Sequence, residues 1–71
     1  MGGKPLGTLV REYRLRMPMT QQELAEKAGL HLKAVQAIEL GKSRPRPATI
    51  RRLAEALGVT ARELAEAASA G

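Results

Sequence analysis

Apolar residues recur along the chain at three- and four-residue intervals, and the recurrence breaks in turn near Pro18, Gly29, Gly41 and Gly58. Leu6, Val10, Tyr13 and Met17 share one face and predict a first helix over about 5–17; Pro5 suits its opening turn and Pro18 stops it. Thr20-Gln-Gln-Glu23 reads as a capping box, in which side chain and backbone satisfy each other's open groups at a helix start. The second helix turns Leu24, Ala25 and Ala28 inward and ends at Gly29, where the left-handed conformation is cheap. A third, over about 32–40, buries Val35 and Ile38 before Gly41. Lys42-Ser-Arg-Pro-Arg-Pro47 is a basic loop stiffened by prolines. The fourth helix starts near Pro47 and buries Ile50, Leu53, Ala54 and Leu57 before Gly58. Thr60-Ala-Arg-Glu63 repeats the capping box and opens a fifth, with Leu64 and Ala68 inward and residues 69–71 expected to fray. Glu23–Lys27, Arg51–Glu55 and Arg62–Glu66 are spaced to pair along their helices. Met17 and Met19 are expected to pack. No strand pattern, repeat or linker interrupts the series, so an all-α bundle is expected, one domain over residues 1–71 with its core within about 5–67.

Composition narrows the chemistry. A chain of 71 residues holds one modest core and little room for an enclosed substrate cavity. It has no cysteine, hence neither disulfides nor thiolate metal sites, and His31 is its lone histidine, so no metal site is expected. No nucleophile–base pair, carboxylate dyad or phosphate-cradling glycine loop appears, which argues against an enzyme, a cofactor or a small-molecule substrate. Tyr13 is the only aromatic, too few stacking platforms for single-stranded nucleic acid. No apolar run nears the roughly 20 residues of a membrane span, and the opening Met-Gly-Gly-Lys-Pro lacks a signal core, so a cytoplasmic location is expected.

The net charge of +5 points to a polyanionic partner, and its distribution sharpens the point. Residues 1–20 carry +3 and residues 41–52 carry +5, the latter from Lys42, Arg44, Arg46, Arg51 and Arg52 with no acid among them; residues 21–40 and 53–71 are net negative. Between the basic blocks lies a pair of short helices joined by a turn at Gly29. Ala25 is small enough for their backbones to approach at a steep crossing, while Leu24, Ala28, Leu30, Val35 and Ile38 fill the wedge behind them. His31, Leu32, Lys33, Gln36 and Ala37 are left on the outside of the later helix, free to enter a groove.

Four segments, Leu6-Gly-Thr-Leu-Val10, Thr20-Gln-Gln-Glu-Leu-Ala-Glu-Lys-Ala-Gly29, Val35-Gln-Ala-Ile-Glu-Leu-Gly-Lys42 and Ile50-Arg-Arg-Leu-Ala-Glu-Ala-Leu-Gly-Val59, carry a resemblance to the Cro/CI-type (XRE-like) phage-repressor helix-turn-helix family over about residues 6–64. The resemblance implies a compact five-helix, lambda-repressor-like DNA-binding domain with its helix-turn-helix at helices 2 and 3. It implies base-facing roles for Leu32, Lys33, Gln36 and Ala37, phosphate contacts from Thr20 and Gln21, backbone contacts from Lys42, Arg44 and Arg46, and a structural ion pair between Arg14 and Glu39. Lys33 would donate to guanine, Gln36 would pair with an adenine edge, and Ala37 would touch only a thymine methyl. His31 is expected to cap the third helix or contact phosphate. Leu32 departs from the family pattern, standing where a polar reader is common, as does Arg46 at a helix start that usually holds Ser or Thr. The expected function is sequence-specific binding of double-stranded DNA by a transcription regulator, a repressor first of all. A two-fold dimer would supplement a small domain's affinity, with Ala61, Leu64 and Ala65 as candidates either for that contact or for ordinary core. The alternative is a protein-interaction adapter that docks a partner through Leu32 and Leu40.

Overall fold

The structure, a computed structural model, describes residues 3–70 as five α-helices: α1 Leu6–Arg16, α2 Gln21–Ala28, α3 Leu32–Glu39, α4 Pro47–Leu57 and α5 Ala61–Ala70. The five side chains most completely buried are Val10, Leu24, Val35, Leu53 and Leu64, one from each helix, and they meet in a single core. α2 packs on α3 and α4, α4 on α5, and α1 lies across α3, α4 and α5. No strand occurs among the described residues.

Two small residues set how closely the helices approach. Ala25, 1% exposed, sits on the buried face of α2, where a larger side chain would separate the helix from its neighbours. Gly7 is buried in α1, and a Cβ there would stand 2.4 Å from the Ile38 carbonyl oxygen and 2.6 Å from that of Glu39. The backbones of α1 and α3 therefore touch at Gly7.

The helix ends follow the punctuation, with two corrections. Met17 is not helical and is 40% exposed rather than packed. Pro18 disfavours the helical conformation in the residue before it, and Met17 takes φ −84°, ψ 0° as the chain leaves the helix. Met19 turns back, its N–H donating to the Arg14 carbonyl at 2.9 Å, and packs against the core. The buried face of α1 is thus Leu6, Gly7, Val10 and Arg14, a stripe that ends on a charge. In α5 the inward small residue is Ala67, with Ala68 half-buried. Ser69 is still helical; Gly71, also expected to fray, lies outside the described residues.

Gly29 and Gly41 take φ +69° and +73° and close α2 and α3 alike. After Gly41 the Lys42 N–H donates to the Ala37 carbonyl at 2.9 Å and the Gly41 N–H to that of Ile38 at 3.1 Å, so two carbonyls of the last turn of α3 are satisfied as the chain swings into the basic loop. Thr20 makes both halves of its capping box, accepting from the Glu23 N–H at 3.0 Å while the Glu23 carboxylate accepts from the Thr20 N–H at 2.8 Å. Thr60 accepts from the Glu63 N–H at 3.2 Å, but the Glu63 carboxylate accepts from the Tyr13 hydroxyl instead, tying α5 to α1. Ion pairs among the described residues are Lys4–Glu12, Arg14–Glu39 and Arg62–Glu66. Glu23–Lys27 and Arg51–Glu55 do not close, and Glu23 is occupied by its cap.

Candidate nucleic-acid interface

The buried residues of α3, Val35 and Ile38, fix the rotation of that helix. At 100° per residue the side opposite them carries Lys33, Gln36, Ala37 and Leu40. Lys33 and Gln36 are exposed, Ala37 is half-buried, and Leu40, the residue that caps the helix, is 70% exposed. Leu32 lies about a quarter-turn from the core side and is half-buried. His31 occupies the N-cap position in an extended conformation and makes no side-chain capping bond, so the capping role expected of it is not realised.

A buried charge network holds α3 against α1 and the start of α2. Arg14 donates to Glu39 from Nε at 2.6 Å and from Nη2 at 3.0 Å, a two-pronged pair with both side chains less than a tenth exposed. Its remaining nitrogen, Nη1, donates to the Met19 carbonyl at 2.8 Å. The hydrogen bond to Glu39 is the main reason the Arg14 guanidinium holds its proton above its ordinary value, against the opposing effect of burial. Gln21 completes the cluster by donating from Nε2 to Glu39 at 3.0 Å. Among the described residues no buried side-chain polar atom lacks a partner. Gln21 is therefore half-buried with its amide nitrogen engaged, while Thr20 is exposed and its hydroxyl proton is free to be donated outward.

Two contributors are missing from the expected set. Gly7 permits the contact of α1 with α3; a glycine inside a helical pattern was the signal for it. Arg52 reaches from α4 to the turn between α2 and α3, donating from Nη1 to the Gly29 carbonyl at 3.2 Å. Nothing in the local pattern announces that reach across 23 positions.

Lys42, Arg44 and Arg46 are all exposed on the loop that leaves α3. Arg46 precedes α4 in an extended conformation without a side-chain cap, and Pro47 opens the helix. With Arg51 and Arg52 on the first turns of α4, the segment 41–52 places five cations and no acid on the chain directly after the outward face of α3. Arg44, Arg51 and Arg62 also line a groove of about 730 Å³ between α1, the loop, α4 and α5, together with Gly7, Ile38, Ile50, Ala61 and Ala65. Of the residues considered for a dimer contact, Leu64 is fully buried in the core, whereas Ala61 is half-buried and Ala65 exposed. Among the described residues no cluster of His, Asp or Glu has the makings of a metal site, and no helix is long and apolar enough to cross a membrane.

A short helix carried outward behind a tight turn, packed against α1 and α2 and followed by a basic loop, defines a helix-turn-helix protein. The helix-turn-helix family model matches residues 10–64, and the chain belongs to that XRE-like family. It is similar to a protein of Methanothermobacter thermautotrophicus named an uncharacterized HTH-type transcriptional regulator, with 41% identity over 51 residues, 72% of this chain and 74% of that relative.

Proposed function

We propose that the chain is a sequence-specific, double-stranded-DNA-binding transcription regulator, acting as a repressor in the cytoplasm by occupying its site. The observation that carries this is the exposed outward face of α3 joined directly to an acid-free run of five cations. An α-helix fits the major groove, and a basic loop at its exit lies where a phosphate backbone would flank that groove. Lys33 and Gln36 supply donors to base edges. Thr20, His31, Lys42, Arg44 and Arg46 supply phosphate contacts, with Gln21 contributing its backbone N–H at the start of α2, since its side-chain amide serves Glu39. Two copies related by a two-fold axis and touching through Ala61 and Ala65 would read a palindrome. The relative's description as a transcriptional regulator supports the same reading.

The test is a fluorescence titration of labelled duplex over a series of NaCl concentrations. Replacing Arg44 and Arg46 together by alanine weakens binding to every sequence and lowers the slope of log K against log salt by about one unit per lost contact. Lys33→Ala instead relaxes preference at one base pair. Absence of duplex binding at low salt, with salt-insensitive association to a protein, would replace this function by that of an adapter.

A further inference from the structure

The outward face of α3 is more apolar than a surface of hydrogen-bonding readers would be. From Lys33 to Leu40 it runs about 10 Å along the helix axis, close to three base-pair steps. Over that length it offers two polar side chains, Lys33 and Gln36, beside Ala37 and Leu40, with Leu32 on its flank next to Gln36. Leu40 is the most exposed of the large apolar side chains. Leu32 belongs neither to the buried core nor to the half-buried residues packed against it. Burial in this fold accounts for neither leucine. Phosphates give an apolar side chain nothing to bind, sugars are the same at every base pair, and the apolar group that varies on the floor of the major groove is the C5-methyl of a pyrimidine.

We infer that Leu32, Ala37 and Leu40 read the C5-methyl groups of pyrimidines, on thymine or 5-methylcytosine, while Lys33 and Gln36 make the hydrogen bonds. The inference rests on the DNA-binding reading above and deepens it, and the five cations that follow on the chain favour DNA over an uncharged partner for this face. Methyl contacts add affinity by excluding water, so they discriminate thymine from uracil and 5-methylcytosine from cytosine without any polar partner. Each buried methyl corresponds to about a fourfold change in affinity.

The experiment starts from a duplex selected from a random pool with the wild-type chain at one salt concentration. Each thymine is then replaced singly by deoxyuridine, which removes only the methyl, and each cytosine singly by 5-methylcytosine, which adds one. Anisotropy titrations follow with wild type, Leu32→Ala and Leu40→Ala. The expected result is a methyl effect of about fourfold at one or more positions, in either pyrimidine, that disappears in at least one of the two variants. Leu40→Ala changes a side chain already 70% exposed, so an unchanged circular dichroism spectrum will accompany it. Two results overturn the inference while leaving DNA binding intact: no methyl effect at any position, or a methyl effect of the same size in wild type and both variants. Failure of the wild type to enrich or bind any duplex would remove the DNA-binding reading itself, and the inference with it.

Discussion

Gly7 and Glu39 are single residues on which the placement of α3 depends, for opposite reasons. Gly7 matters because it has no side chain. Adding one methyl puts carbon within 2.4 Å of a backbone oxygen that cannot swing aside, so α1 must move off α3. Gly7→Ala is expected to destabilise the fold by about 2 kcal/mol despite alanine's better helix propensity, a shift that urea unfolding will register. Glu39 matters because of what it neutralises. Removing it leaves the Arg14 guanidinium buried without its counter-ion, and Glu39→Ala should cost about 3 kcal/mol or more. Gln21→Ala removes one hydrogen bond of the same cluster and should cost only about 1 kcal/mol, since Arg14 keeps its partner. Equal losses from the two variants would mean that the pair does not hold α3. The Arg14 proton is held above its ordinary value, so its contribution is complete at lower pH and fades only in strong alkali; the Arg14 contribution leaves stability unchanged around neutrality.

The elements themselves were largely legible, because their ends are written in local chemistry. Thr20 and Glu23 form their reciprocal cap as the spacing required. Thr20→Ala should cost about 1 kcal/mol in a thermal or urea unfolding series. The same change at Thr60 should cost less, because only half of that box forms while Glu63 serves Tyr13. That diversion shows where local reading stops: Glu63 has two possible partners, and a tyrosine 50 positions away wins it only after α1 and α5 have packed. Met17 illustrates the same limit at a helix end. Its spacing continued the apolar face, yet Pro18 ended the helix beneath it and left the side chain at the surface. Leu64, expected inward and also considered for a dimer contact, is core alone, because packing decides which face of an amphipathic helix is covered at home.

For the whole molecule, charge location counts for more than net charge. Arg44→Ala with Arg46→Ala touches exposed side chains only, so unfolding should be unchanged within about 0.5 kcal/mol while duplex affinity falls and its salt dependence flattens. A parallel loss of stability would mean that the loop supports the fold and would weaken the case for a phosphate contact. The order of helices, their caps, the wedge of Leu24, Val35 and Ile38, and the basic block after α3 were all present in the sequence, since each depends on spacing within a few positions or on composition. The tertiary structure alone decided that Gln21 would join Arg14 and Glu39 and that Arg52 would brace the Gly29 turn. Those outcomes depend on how helices cross, and crossing is set by close contacts such as Gly7 on Ile38, between residues 31 positions apart that no local period connects.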